Sequence, residues 1–193
     1  MIIKMDNRRS LFSSSPKSIN SIIFLGDSIT EYGEWSELFP KHQVLNRGIA
    51  GEGIHGVLHR LDEVKRHDPR IIFLMIGVND LCYHQPEKVI DAYFNLLDTM
   101  LKNFRNTQIV VQSILPVNNN LLGTGTNNKA IDQVNAALAH HCGSLGLEYI
   151  NLNHHFKDEN QNLKETFTSD GIHINGIAYN TWKQVINPWI SER

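Results

Sequence analysis

The sequence predicts a three-layer α/β/α sandwich built on a five-stranded parallel sheet, and three observations predict it. Short apolar runs rich in β-branched residues alternate along the chain with stretches of helical period. Two of those runs, "IIFLMI" and "IVVQSIL", are continuously hydrophobic, with no polar alternation in the first and one Gln-Ser break in the second. Clusters of Gly, Asn and Asp follow the runs directly. A strand covered by helices on both faces has no polar side to present, so continuous hydrophobicity marks a parallel sheet between helical layers. With 193 residues, 41% of them hydrophobic, the chain can bury one large core without disulfides or metals.

The strands are expected at Ile22 to Leu25, Val44 to Leu45, Ile71 to Ile76, Ile109 to Ile114 and Leu147 to Leu152. Between them, Ile54, Val57, Leu58, Leu61 and Val64 share one helical face, as do Ile90, Phe94, Leu97, Leu101 and Phe104. Ile131, Val134, Leu138, Cys142 and Leu145 repeat that spacing, and Trp182, Val185, Ile186 and Trp189 close the chain. Residues 21–193 read as a single domain, and the Ser-rich, basic residues 1–20 as a tail or leading loop. Cys82 and Cys142 have neither metal-ligand spacing nor a disulfide framework around them, so both are expected to be buried small apolar residues. The long polar stretch Pro116 to Asn128 leaves the carboxyl end of a strand, where it could wall a pocket or simply connect two elements.

Charge narrows the partners. Lys and Arg number 18 against 20 Asp and Glu, scattered along the chain, which gives no electrostatic reason to expect a nucleic acid or an anionic membrane. No run is long enough to span a bilayer, so no integral membrane association is expected, and the first twenty residues lack the apolar stretch of a signal peptide. A cytoplasmic location is the resulting expectation.

In parallel sheets, ligands bind outside the carboxyl ends of the strands. Those ends carry Gly26-Asp27-Ser28, Gly48-Ile49-Ala50-Gly51 and Gly77-Val78-Asn79-Asp80, and late in the chain comes Asp170-Gly171-Ile172-His173. Together they are the inventory for acyl transfer through a serine. A hydroxyl is a weak nucleophile that needs a base near neutral pKa, for which His173 is the candidate. The imidazole in turn needs a carboxylate to fix its tautomer, and Asp170 lies three residues before it. Backbone N–H groups of Ser28 and Gly51, with the side-chain amide of Asn79, could converge on the oxyanion.

The blocks "GDSIT", "NRGIAGE", "IGVNDL" and "SDGIHIN" resemble the GDSL, or SGNH, hydrolase family, in that family's order and over nearly the whole chain. The second block and "PRIIFLMIGVND" are most similar to the branch holding platelet-activating-factor acetylhydrolase-like and carbohydrate acetylesterase members. The resemblance implies a flavodoxin-like sheet, Ser28 as nucleophile, Asp170 and His173 as its partners, and Ser28, Gly51 and Asn79 as oxyanion donors. It also implies supporting roles for Asp27 beneath the serine turn and Asn46 beneath the loop, and it admits a homodimer, since some branches dimerise. Ile29 and Glu52 depart from the family's usual Leu and Asp.

Plainer readings stand beside these. Ser28 alone would read as a helix N-cap, Asn79-Asp80 as an Asx-turn, and the glycines at 48, 51 and 53 as a turn of positive φ. The order Gly-x-x-Gly-x-Gly does not match a dinucleotide fingerprint, so no cofactor is expected. His140-His141 and His154-His155 lack further ligands at metal spacing and read as surface residues. Trp35, Trp182 and Trp189 read as core or packing aromatics, Trp35 being near enough to the first block to reach a substrate. The expected activity is hydrolysis of a small carboxylic ester, acetyl esters above all. Longer acyl esters or thioesters, and a non-catalytic anion-binding module with Ser28 and Thr30 capping a helix, are the alternatives.

Overall fold

The computed structural model describes residues 2–123 and 126–191. Five strands, β1 (Ile22–Gly26), β2 (Val44–Gly48), β3 (Ile71–Met75), β4 (Gln108–Gln112) and β5 (Glu148–Ile150), form one parallel sheet in the order β2-β1-β3-β4-β5. Its five parallel strands with flanking helices give the α/β sandwich that the continuous apolar runs predict. β1 pairs with β2 from Ile22↔Val44 to Gly26↔Gly48 and with β3 from Ile22↔Ile71 to Gly26↔Met75, so the three strands end level. After β2 the chain crosses to the far side of β1, and the connections on either side of that reversal leave a crevice at the strands' carboxyl ends.

Helices cover the sheet in chain order: α1 (Ile2–Ser14), α2 (Ser28–Glu31), α3 (Trp35–Leu38), α4 (Ile54–His59), α5 (Leu61–Lys65), α6 (Val78–Leu81), α7 (Pro86–Asn103), α8 (Asn119–Leu122), α9 (Asn128–Leu145), α10 (Asn153–Phe156) and α11 (Gly176–Ser191). Every residue of β1 and β3 is buried. Phe24 stacks on Trp35 at 3.9 Å and on Phe73 at 5.1 Å, and Trp182 packs edge-on to Trp35 at 4.8 Å. The indole N–H of Trp182 donates to Gln112 Oε1 at 2.6 Å, satisfying a polar pair deep in the core. Trp35 is thus a core residue and not a substrate contact. Among the described residues, no helix is long and apolar enough to cross a membrane.

The structure corrects several expectations. Residues 2–14 form a helix that docks through Phe12, which is 3% exposed, in place of a free tail. The buried stripe of α7 is Val89, Tyr93, Leu96, Leu97 and Met100, one residue away from the expected Ile90 and Phe94, which lie half-buried at its edge. The single helix expected over 54–64 is divided at Arg60, whose backbone leaves helical dihedrals where its guanidinium turns inward to Glu52. Cys142 is buried but Cys82 is exposed. His141 is half-buried and stacks on Phe94 at 3.7 Å, while His140, His154 and His155 are exposed.

Two features shape the crevice. A Cβ at Gly48 would lie 2.1 Å from the backbone nitrogen of Glu31, so only glycine lets the end of β2 approach α2 so closely. Gly48→Ala should therefore cost about 1–3 kcal/mol, read as a drop of several degrees in Tm, and an unchanged Tm would contradict the packing. At the end of β1, the Asp27 side chain caps α2 by accepting the Ile29 N–H at 3.0 Å. Burial, with the charges of Asp80 and Glu52 nearby, raises the Asp27 carboxyl to about 7 against the pull of that hydrogen bond. The native state then holds a proton that the unfolded chain has released, so stability falls as pH rises from near 3.8 to about 7. Asp27→Asn keeps the cap and should flatten that decline, gaining on the order of a few kcal/mol at pH 8. Parallel Tm-against-pH curves for the two proteins would refute this.

Candidate active site

Asp27 supplies the cap, which leaves the Ser28 hydroxyl free of that duty at the first position of α2. The hydroxyl is instead 3.0 Å from Nε2 of His173. On the other side of the ring, Nδ1 lies 2.6 Å from Asp170 Oδ2. Because an ionised carboxylate only accepts, Nδ1 carries the proton, Nε2 is the acceptor, and the serine hydroxyl donates to it. Desolvation pushes the Asp170 carboxyl upward. Hydrogen bonds from the His173 ring and from the backbone N–H groups of Ile172 and His173 outweigh it and hold the group down to about 2. Asp170 is therefore anionic at neutral pH.

The loop carrying these two residues is closed at its base by an antiparallel bridge between Thr168 and Ile174. Inside it, the Thr168 hydroxyl accepts the Gly171 N–H at 2.9 Å, and Gly171 adopts φ +90°. A Cβ there would sit 2.6 Å from the Asn118 carbonyl, and the Gly171 carbonyl accepts the Asn118 N–H at 2.7 Å. The Tyr179 hydroxyl of α11 donates to the Ile29 carbonyl of α2 at 2.7 Å in a buried bond. The histidine loop and the serine turn are thereby tied to one frame.

A cleft of about 420 Å³ opens at this point, lined by Ser28, Tyr32, Ala50, Gly51, Asn79, Ile172 and His173. Gly51 has φ +78° in a turn closed by the Glu52 N–H to the Ile49 carbonyl at 3.1 Å, a position that favours glycine. The Asn79 amide donates one hydrogen to the Glu52 carbonyl at 2.9 Å, which fixes its plane and leaves the second hydrogen uncommitted to that bond. Asn46 reaches from β2 to the end of α2, donating to the carbonyls of Thr30, Glu31 and Gly33 at 2.9–3.1 Å while accepting the Gly48 N–H at 2.9 Å. The structure thus brings Ser28, Asp170, His173, Gly51 and Asn79 to one place, with Asp27 and Asn46 beneath them. Such an arrangement can deprotonate a serine as it attacks and can meet a developing oxyanion with fixed donors.

Other residues at the site escape motif reading. The Glu31 carboxylate accepts the Ala50 N–H at 2.5 Å, and Asp80 accepts the Ile54 N–H through both oxygens at 3.1 and 3.2 Å. Burial raises Asp80 above the ordinary carboxylate range. The Tyr32 ring is tilted 46° to the His173 ring with centroids 5.3 Å apart, an exposed aromatic that adjacency to the first block could have flagged. The Glu52 side chain, where relatives of the resemblance carry Asp, turns away from the cleft and is completely buried against Arg60 Nε at 2.7 Å. The stretch Pro116 to Asn128 supplies none of the described cleft residues. Its Asn118 supports the histidine loop instead, and Thr124 and Gly125 lie outside the described residues.

Known proteins resemble this chain in sequence and in fold. The human platelet-activating factor acetylhydrolase IB subunit alpha1 is 29% identical over 127 residues, 62% of this chain and 54% of that protein, so the match spans about half the relative's length. A GDSL-like lipase from Bacteroides thetaiotaomicron superposes with a TM-score of 0.84 at 18% identity, over 100% of this chain and 99% of that one. The acetyl xylan esterase AlAXEase superposes with a TM-score of 0.73 at 19% identity, over 88% of this chain and 99% of its own. At such identities these two structures speak to the fold alone. The profile of the GDSL-like lipase/acylhydrolase family matches residues 24–180, a span that holds all four strand-end blocks, and the chain belongs to that family.

Proposed function

We propose that the protein is a serine ester hydrolase that forms an acyl-enzyme on Ser28. The observation that carries the reading is the unbroken chain Asp170 Oδ2, His173, Ser28 Oγ, with steps of 2.6 and 3.0 Å, at the mouth of a cleft. As Ser28 Oγ bonds to the ester carbonyl carbon, its proton passes to His173 Nε2, and the imidazolium is stabilised by anionic Asp170. The carbonyl electron pair moves to oxygen, where N–H groups of Ser28 and Gly51 and the Asn79 amide receive it. Collapse breaks the bond to the alcohol oxygen, which takes the proton from His173. Water then attacks the acyl-serine with His173 as base, releasing the acid and restoring the serine.

Acetyl is the favoured acyl group. The cleft is lined by small or rigid groups beside the serine, Ala50, Ile172 and Tyr32. The named activity of one sequence relative, an acetylhydrolase, also concerns an acetyl group. A purely anion-binding module is the weaker reading, because the Asp27 side chain already takes the Ile29 N–H at the helix start.

Ser28→Ala should stay folded and lose at least about 10³-fold in kcat on 4-nitrophenyl acetate, with a comparable loss for His173→Ala. A fluorophosphonate should label the parent protein at Ser28, and full turnover by Ser28→Ala would defeat the proposal. Across 4-nitrophenyl esters from acetyl to octanoyl, kcat/KM should peak at acetyl, whereas a steady rise toward octanoyl would assign the cleft to long acyl chains.

A further inference from the structure

The loop from Gly48 to Glu52 is held from an unexpected direction. Arg8 and Arg9 are neighbours on α1, 40 and 43 residues from the Gly48 and Glu52 they bond and outside the family's matched span. The Arg8 Nε–H donates to the Gly48 carbonyl at 3.3 Å, at the start of the loop. The same guanidinium lies 3.6 Å from Glu31 Oε1, and the other oxygen of that carboxylate accepts the Ala50 N–H in the middle of the loop. Arg9 Nη2 donates to Glu52 Oε1 at 3.0 Å, at the loop's end, while Arg60 holds Oε2. Gly51, between these tethers, has the positive φ that aims its N–H.

The helix that brings these arginines has little else to hold it. Phe12 is its one deeply buried large apolar side chain among those described, with the guanidinium carbons of Arg47 and Arg8 at 4.5 and 4.9 Å from its ring centroid. Arg66 Nη2 donates to the carbonyls of Phe12 and Ser15 at 2.7 and 2.5 Å and so completes the end of α1. Ile3 and Leu11 remain exposed. A helix docked by one aromatic and a set of charge-assisted bonds contributes modestly to the core, yet its two charges land on both carboxylates that flank the Gly51 amide.

We propose that Arg8 and Arg9 are positioning residues, through which docking of α1 sets the Gly48–Glu52 loop in the geometry that receives the oxyanion. This rests on the esterase reading for its catalytic consequence but not for its structural one. Without the two cations, Glu31 and Glu52 lose partners that fix their rotamers, and the Gly51 N–H samples orientations that miss the developing charge.

The test compares the parent protein with Arg8→Ala/Arg9→Ala and with Arg8→Lys/Arg9→Lys, by 4-nitrophenyl acetate kinetics and by amide hydrogen exchange. The doubled alanine variant should lose about ten- to hundredfold in kcat with KM within about twofold. Residues 48–53 should exchange at least about tenfold faster while residues 78–81 keep their protection. The lysine pair should recover most of both losses. Unchanged protection at 48–53, or unchanged kcat in a variant whose parent turns over the ester, overturns the inference. A parent that does not turn over the ester refutes the esterase reading instead, and the exchange result alone then decides the positioning role. If the doubled variant does not fold, Arg8→Gln and Arg9→Gln singly carry the same two measurements.

Discussion

The hydrogen bond between His173 and Ser28 joins residues 145 positions apart, and much of the structure around it is an answer to the difficulty of holding it. A proton can be shared only across about 2.6–3.2 Å, whereas loops at the rim of a sheet are the most mobile parts of a fold. The molecule meets this by closing each contributing loop on itself and then cross-bracing the pair. Asp27 caps the serine turn, Thr168 and Ile174 bridge the base of the histidine loop, Asn118 ties that loop to the connection after β4, and Tyr179 of α11 bonds the Ile29 carbonyl of α2. Each brace is a buried or half-buried hydrogen bond of ordinary net value, about 1 kcal/mol. Their common effect is to remove alternative geometries from the loops, and the level ends of β1, β2 and β3 set the plane in which they do so.

Behind the crevice lies an ionic network that a stability argument alone would not place there. Glu52 is completely buried against Arg60, and Arg47 shares Glu63 and His67 at 3.0 Å or just beyond. Desolvating such charges costs about as much as their pairing returns, and apolar residues of similar volume can do as well or better for stability. What apolar residues cannot do is hold a loop by its polar atoms. Arg60 Nη2 donates to the Arg47 carbonyl at 2.7 Å, Arg47 Nη1 to that of Asn46 at 3.1 Å, and the Asn79 amide to that of Glu52. The network therefore trades net stability for fixed positions of carbonyls and N–H groups next to the cleft.

Much of this was legible in the sequence because the strongest physical signals are local. Continuous apolar runs can be strands only if both faces are covered, and the residues just after them fall at one rim, which places Ser28, Gly51 and Asn79 together. Asp170 and His173, well beyond the last strand, join them through what a serine nucleophile requires and through the family resemblance. Contacts whose logic is tertiary stayed hidden. Glu31 belongs to no motif and Asp80 reads with Asn79 as an Asx-turn, yet Glu31 accepts the Ala50 N–H of the β2 to α4 connection and Asp80 the Ile54 N–H at the start of α4. The docking of α1 was masked by its Ser-rich, basic composition, because Phe12, the one deep anchor among its described side chains, shows no amphipathic period. The face of α7 was misjudged by one residue because apolar side chains occur at both 89–90 and 93–94, and only packing against the sheet selects Val89 and Tyr93.

The two halves of the crevice are supported in different ways, and the chemistry explains why. In the proposed reaction the imidazole takes a proton from one oxygen and passes it to another, so small adjustments of its ring are useful, and its loop is braced mainly from within and stays half-exposed. An oxyanion donor has the opposite requirement. Its dipole must already point at the site where charge appears, because reorientation during the reaction would spend the stabilisation it is there to provide. The Gly48–Glu52 loop is accordingly restrained from α2 through Glu31, from α6 through Asn79 at the Glu52 carbonyl, and from buried Arg60 through the Glu52 carboxylate. Restraint from three directions leaves a turn containing two glycines with little freedom, Gly48 serving the close approach to α2 and Gly51 a backbone geometry that other residues rarely adopt.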